Sequence, residues 1–183
     1  MNATNLLENA EVDLVTDYIP DINNSIQRQF LCNNYFVVVM SPSHELANAP
    51  ISLAQFVKAE HILVSLSGDA SGAVDNKLTE LKSSRRIAMT VNSFANATHL
   101  LKGSSLISVL PYAIIANELE SGALVAKPLP FDLAPAEISM GWHKRKNRDL
   151  GLHWLRETMN TIIKDKSQLL KTELSTLGTI NLC

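Results

Sequence analysis

The stretch Ile138-Ser139-Met140-Gly141-Trp142-His143-Lys144-Arg145 decides the fold class, together with the run from Asp149 to Lys164 that follows it. Its apolar residues predict a strand that ends at the Trp142-His143 pair. The basic residues then predict a turn. The run behind them has helical periodicity and carries Trp154-Leu155-Arg156. The stretch therefore predicts a strand that is joined to an amphipathic helix through a charged turn.

The turn contains the densest basic cluster of the chain. A contact with DNA phosphates is one interpretation, but a solvated turn that joins strand to helix is the one favoured here, because Asp149 stands where it can cap the helix. The cluster consists of Lys144, Arg145, Lys146 and Arg148.

Composition limits the function classes that remain open. A chain of 183 residues that is 46% hydrophobic can bury a core as one domain or as two small lobes. A net charge of -2 without a basic stripe predicts poor binding of nucleic acid by this chain alone. Cys32 and Cys183 have neither metal-ligand spacing nor the density of a disulfide scaffold, which favours the cytoplasm. Neither a membrane-spanning run nor a secretory signal is expected.

Strands and helices alternate through the middle of the chain. This order predicts parallel pairing with right-handed crossovers, hence an α/β sandwich. A strand from Val12 to Thr16 precedes this region, and a frayed helix end or disorder is expected from Ser167 to Cys183. The predicted central strands are Tyr35–Met40, His61–Ser65, Ile87–Val91 and Leu106–Leu110, and the predicted helices begin at Ser52, before Val74, at Ser93 and at Pro111.

Ligands of parallel α/β sheets collect at the carboxyl ends of the strands, where helix N-termini offer free N–H groups. Three such ends are predicted, and their hydroxyl, amide and aromatic groups suit a small polar aromatic ligand. Each feature also has a purely structural explanation as a cap, a turn or a core residue. The ligand interpretation depends on all three ends converging. The three segments are Ser65-Leu66-Ser67-Gly68-Asp69, Asn92-Ser93-Phe94 and Leu110-Pro111-Tyr112.

Two chemical sites are disfavoured by the sequence. His44-Glu45-Leu46-Ala47-Asn48 nearly spells a zinc-protease helix, but Asn48 stands where the second histidine is required, so no metal or cofactor is expected. A small hydrolase using His61 with Asp69 and Ser65 or Ser71 lacks the Gly-x-Ser-x-Gly elbow. We therefore expect no enzyme activity.

Several segments between Glu11 and Lys164 resemble LysR-type transcription regulators in order and spacing. Val12-Asp13-Leu14-Val15 is similar to the family's first shared strand, and Ser43-His44-Glu45-Leu46-Ala47 to its crossover, with Glu45 in place of a proline. The following segments resemble in particular the nodulation and naphthalene-degradation branch, which responds to flavonoids and salicylate: His61–Ser65 with Gly68, Val74-Asp75, Arg86, Val91, Phe94, Leu106-Ile107, Leu110-Pro111, and Trp142-His143 to Trp154-Leu155-Arg156.

This resemblance implies a two-lobed fold of the type II periplasmic-binding-protein kind. Residues 1–41 and 136–165 would form a first lobe lacking its opening elements, residues 42–135 the second lobe, and residues 166–183 a tail. A small aromatic effector would lie in the cleft. The implied effector-binding residues are Thr16, Asp17, Tyr18, Ser65, Ser67, Gly68, Asn92, Ser93, Phe94, Leu110 and Pro111.

The implied function is effector sensing by a cytoplasmic regulator with no membrane partner. The mechanism would be allosteric, and DNA would be contacted only through a helix-turn-helix that this chain does not include. A homo-oligomer or a full-length regulator is the expected protein partner. A free-standing small-molecule-binding or decoy protein is the alternative from another class, and a small hydrolase is a further one.

Overall fold

The computed structural model describes residues 3–19, 23–65 and 71–176. Eight strands occur in these residues: β1 Val15–Tyr18, β2 Ile26–Asn34, β3 Phe36–Met40, β4 Glu60–Val64, β5 Arg86–Val91, β6 Ile107–Pro111, β7 Val125–Lys127 and β8 Ala136–His143. Six helices accompany them: α1 Ala3–Glu8, α2 Leu53–Lys58, α3 Ala73–Glu80, α4 Phe94–Leu101, α5 Tyr112–Glu120 and α6 Leu150–Thr176. The mixed α/β class predicted from the sequence is confirmed.

The chain divides into two compact units. Unit 1 comprises Met1–Asn34 and Pro135–Glu173, and unit 2 comprises Tyr35–Ala134 and Leu174–Cys183. The first boundary differs from the expected one at residue 41, because β3 pairs with β6 and β7. None of the described helices is both long enough and apolar enough to span a bilayer.

Unit 1 contains an antiparallel sheet in the order β1-β8-β2. The central strand β8 ends at His143, as the deciding stretch predicted, and a 3-10 turn over Lys144–Lys146 follows. Asp149 caps α6 through a hydrogen bond of 3.0 Å from the Leu152 amide to Oδ1. The cap and the helix of the deciding stretch are therefore confirmed.

The side chains of the basic turn form contacts within unit 1. The Arg145 guanidinium donates to the carbonyls of Leu7 and Glu8 at the end of α1, which is the end of a helix that favours a cation. Lys146 Nζ lies 3.0 Å from Oδ1 of Asp13. These contacts support the interpretation of the cluster as a structural turn.

Two strands of unit 1 differ from the sequence prediction. The first strand lies at Val15–Tyr18 and not at Val12–Thr16. The Glu11 and Val12 amides donate to the carbonyl of Leu6 in α1, so these residues belong to the turn that ends the helix. The strand β2 was not predicted: the consecutive exposed residues Gln27 and Arg28 and the register shift between Phe30 and Cys32 remove the alternation that signals a strand. Residues 167–176 continue α6 as helix.

Unit 2 contains a sheet in the order β5-β4-β6-β3-β7. The strand β4 runs parallel to β5 and β6, as predicted, whereas β3 is antiparallel to both of its neighbours. Val37 to Met40 are all buried, which confirms that β3 is covered on both faces. The core that packs on this sheet includes Val38, Met40, Ile51, Phe56, Val74, Leu78 and Ile107.

Local signals set the helix ends of unit 2. Ser52 and Gln55 form a reciprocal capping box at α2, and Ser93 accepts a hydrogen bond from the Asn96 amide at α4. Gly103 and Gly122 follow α4 and α5 with φ of 79° and 69°, a conformation in which other residues are strained. The two N-caps and the two glycines that end the helices agree with the sequence prediction.

Candidate functional site

Three parallel strands of unit 2 end at one edge of their sheet. The strand β4 lies between β5 and β6, and all three point the same way. Just past the end of β4, the Ser65 amide donates to the Val91 carbonyl at the end of β5, at 2.9 Å. This bond brings Ser65 beside the segment that leads into α4. We call the group of Ser65, Asn92, Ser93 and Phe94 the strand-end site.

The Ser65 hydroxyl is the distinctive polar atom of the strand-end site. Ser65 is only 9% exposed, and its Oγ has no hydrogen-bond partner among the described residues. Ser108, also buried in this sheet, instead donates its hydroxyl to the Ile62 carbonyl at 2.8 Å. A buried hydroxyl without a partner is costly, and such groups call for a bound water, ion or ligand. The sequence predicts Ser65 at the end of a strand and Ser108 inside one, but it does not predict that the Ser65 hydroxyl is buried without a partner.

The N-terminus of α4 supplies the rest of the strand-end site. Ser93 holds the first turn together, since its Oγ lies 3.1 Å from the Asn96 amide that donates to it. Asn92 is exposed, and Phe94 is half-buried in the first position of the helix. The site thus combines a hydroxyl, an amide, an aromatic ring and the positive end of a helix dipole.

The other predicted effector-binding residues of unit 2 have different surroundings. Leu110 is fully buried in β6 opposite Val37, so its side chain belongs to the sheet core. Pro111 is also buried and precedes α5, where the Tyr112 amide donates to the Tyr35 carbonyl at 2.8 Å. Ser67 and Gly68 lie outside the described residues.

The predicted residues of unit 1 lie within β1 and not beyond its end. Thr16, Asp17 and Tyr18 are exposed and pair with Met140, Ser139 and Ile138 in turn. Side chains alternate along a strand, so Asp17 projects from the face opposite to that of Thr16 and Tyr18. The structure therefore does not present the three side chains together.

His61 does not have the setting of a catalytic base. Its ring is fully buried, Nε2 lies 2.8 Å from the Phe56 carbonyl, and its centroid lies 4.6 Å from that of the Phe56 ring. Burial lowers the pKa of His61 to about 4, with a smaller lowering from Arg85 against the opposing effects of Phe56 and Asp75. Ser65, one of the other hydrolase candidates, lies beyond the opposite end of β4, and Ser71 is exposed. Asp69 lies outside the described residues.

No metal-binding cluster is found in residues 3–19, 23–65 and 71–176. His44, which belongs to the rejected zinc motif, uses both ring nitrogens within unit 2. Its Nδ1 accepts from the Leu46 amide at 3.0 Å, and its Nε2 donates to the Ser105 carbonyl at 3.2 Å. This histidine joins a turn to the loop before β6.

Two curated relatives share most of this chain. NahR, an HTH-type transcriptional activator of Pseudomonas putida, is 28% identical over 165 residues, which are 90% of this chain and 55% of NahR. NagR, an HTH-type transcriptional activator of Ralstonia sp, is 30% identical over 159 residues, which are 85% of this chain and 53% of NagR. The chain spans about half the length of these relatives.

Solved regulatory domains share the fold. The regulatory domain of MexT, a transcriptional activator in Pseudomonas aeruginosa, superposes with a TM-score of 0.76 at 25% identity, over 86% of this chain and 76% of that one. That of MetR, a LysR family regulator from N. meningitidis, has a TM-score of 0.69 at 18% identity, over 92% and 76%, and this likeness shows the fold alone. The fold is thus the type II periplasmic-binding-protein-like fold of LysR regulatory domains. Because the family described as "LysR substrate binding domain" matches residues 2–162, the chain belongs to that family.

Proposed function

We propose that this chain is the effector-sensing part of a LysR-type transcription regulator and that the strand-end site of unit 2 binds a small aromatic inducer. The observation that carries the proposal is the buried Ser65 hydroxyl, which has no partner among the described residues and lies beside the entry to α4. A phenol, carbonyl or carboxylate of the ligand would complete its hydrogen bonding. Phe94 would cover the ligand's ring.

The proposed mechanism is allosteric. An inducer that prefers one conformation of the effector-binding domain shifts the population toward it, and the shift passes to DNA-binding domains in the cytoplasm. Family membership and the regulator relatives support this mechanism. The buried, neutral setting of His61 supports the further proposal that the chain is not an enzyme.

The inducer class and the partners are proposed by resemblance. Similarity to NahR and to the salicylate- and flavonoid-responsive branch favours an aromatic acid or a phenol. Ser67, Gly68, Leu110 and Pro111 are proposed to complete the strand ends, in the last two cases through the backbone. Thr16 and Tyr18, which share one face of β1, are proposed as effector contacts of unit 1, whereas Asp17 projects from the opposite face. A homo-oligomer or a full-length regulator is the proposed protein partner.

Titration calorimetry with salicylate tests the proposal. We expect Phe94→Ala to weaken binding by about 1 to 3 kcal/mol, because one buried ring contact is lost. Ser65→Ala should also weaken binding, by about 1 to 3 kcal/mol, because a polar group of the ligand then lacks its partner. Ser121→Ala is the matched control, since this exposed hydroxyl donates to the carbonyl of Glu118 within α5, away from the strand-end site.

Equal affinity of Phe94→Ala, Ser65→Ala and the parent chain would show that the effector does not bind at the strand ends. Each variant's folding is checked beforehand by its amide NMR spectrum.

A further inference from the structure

The helix α6 leaves a row of apolar side chains uncovered. Leu152 and Arg156 are buried on its inner side, where the Arg156 Cζ lies 4.3 Å from the ring centroid of Trp142 on β8. Two residues along a helix correspond to slightly more than half a turn, so Trp154 points the opposite way and is 67% exposed. The uncovered residues, which we call the α6 stripe, are between 38% and 83% exposed: Leu150, Trp154, Leu155 and Ile162.

The other large apolar side chains that are exposed among the described residues are scattered. Tyr18 and Phe30 of unit 1 pair with Ile138 and Ser139, which are neighbours in β8, so they lie on opposite faces of the sheet. Single apolar residues are normal on a protein surface, whereas a patch of them marks an interaction site. The α6 stripe is such a patch. The scattered residues of unit 2 are Leu81, Met89 and Ile114.

The α6 stripe has the composition of a helix–helix contact. The residues that lie between its members on this side of α6 are Gly151, Thr158 and Thr161, which are small and uncharged. Small residues let two helices approach closely. Leu155 and Ile162 are seven residues apart, the spacing that repeats along the seam of paired helices. Without a charge the stripe selects neither an acidic nor a basic partner, but it fits an apolar helix face, and α6 of a second copy provides one.

The size of the α6 stripe also fits such a contact. Its exposed apolar area is on the order of 400 Å², the range in which a patch on a monomer marks an interaction site. A specific interface buries about 800 Å² on each partner, with an apolar core and a polar rim. The stripe supplies the core, and exposed polar residues beside it, such as Thr161 and Asp165, supply the rim.

We propose that the α6 stripe is the contact surface between two copies of this chain, with the α6 helices packed antiparallel about a two-fold axis near Thr158. A two-fold contact uses the same patch on both copies. In this register Trp154 packs against the partner subunit's Ile162. The proposal names the surface of the homo-oligomer proposed above and rests on that part of the proposed function.

Analytical ultracentrifugation of the chain without any effector tests the contact. The mass should rise with concentration from that of one chain to that of two. Ile162→Lys should raise the dissociation constant at least tenfold, because it puts a charge into the apolar contact. Ile114→Lys introduces the same charge at an exposed position of α5 and should leave the dissociation constant unchanged. Since no effector is present, failure of this test leaves the strand-end site unaffected.

Cysteine cross-linking tests the register. In a chain with Cys32→Ser and Cys183→Ser, Thr158→Cys should form a disulfide-linked dimer under mild oxidation, because the two-fold axis brings this position close to its own copy. Thr79→Cys, exposed on α3, should not. The proposal is overturned if the chain stays monomeric at all concentrations, if Ile114→Lys dissociates the dimer as Ile162→Lys does, or if both cysteines cross-link equally. Should Ile162→Lys not fold, the comparison of the two cysteines decides alone.

Discussion

His44 and His61 are both buried in unit 2, but their ring nitrogens are satisfied to different degrees. Both nitrogens of His44 have backbone partners, at Leu46 and Ser105. His61 donates from Nε2 to the Phe56 carbonyl, while its Nδ1 is buried without a partner among the described residues. Protonation of His61 would place a second buried N–H, and a charge, in apolar surroundings. The folded protein therefore favours the neutral ring.

This asymmetry predicts acid sensitivity. The pKa of His61 is about 4 in the folded protein against about 6.5 in an unfolded chain, so the unfolded state binds more protons between these values. The free energy of unfolding should fall as the pH drops below about 6.5, by about 3 kcal/mol in all when pH 4 is reached. Urea unfolding followed through amide NMR signals of unit 2 measures this loss.

The matched variants for this prediction are His61→Gln and His99→Gln. Glutamine at position 61 can still donate to the Phe56 carbonyl but does not titrate, so the loss between pH 6.5 and 4 should become smaller. His99 is exposed on α4, so His99→Gln controls for the loss of an imidazole outside the core. Equal pH profiles for all three proteins would contradict the role assigned to His61.

At the scale of elements, the start of α3 depends on one ion pair. Asp75 accepts from the Gly72 amide at 2.8 Å and from both ends of the buried Arg85 fork. Burial alone would raise the pKa of Asp75, but the hydrogen bonds from Arg85 and Gly72 outweigh it and hold the pKa below its usual value. This carboxylate thus fixes the helix that follows β4.

Asp75→Asn is expected to destabilise unit 2 by about 3 kcal/mol or more, because it leaves the Arg85 guanidinium buried without an anion. Glu80→Gln provides the control on the same helix: it breaks the exposed pair with Lys77 and should cost about 1 kcal/mol or less. Urea titrations read through NMR signals of β4 and β5 compare the two. A similar small cost for both variants would show that the Asp75 pair does not fix α3.

The elements that could be predicted are those whose signals are local. Ser52, Ser93 and Asp149 cap helices through their own hydroxyl or carboxylate. The apolar run that ends at Met40 predicts a buried strand from its own residues alone. Strand pairing could not be predicted, because it depends on residues that are distant in the sequence. The strand β3 pairs antiparallel with β6, and β2 is recognised as a strand only through its pairing with β8. Convergence of the strand ends was predicted, but the buried Ser65 hydroxyl depends on packing that no sequence period reports.

At the scale of the whole molecule, the chain forms two units with separate sheets. Unit 1 is built around β8 and α6, and unit 2 around the parallel trio β5-β4-β6. Unit 2 contains two buried side chains with a polar atom that lacks a partner among the described residues, His61 and Ser65. Ser65 is the one that is proposed to receive the inducer, and the sensing proposal depends on it.

Amide NMR of the chain during titration with salicylate tests the central claim most directly. The largest saturable shifts in unit 2 are expected at Ser65 and at Asn92 to Phe94, since these amides lie at the strand ends and at the start of α4. They should weaken in Phe94→Ala and persist in the control variant Ser121→Ala. If salicylate saturates the protein while Ser65 and Asn92 to Phe94 do not shift, or if phenols and aromatic acids produce no saturable shifts at all, the proposal of aromatic sensing at the strand ends is wrong.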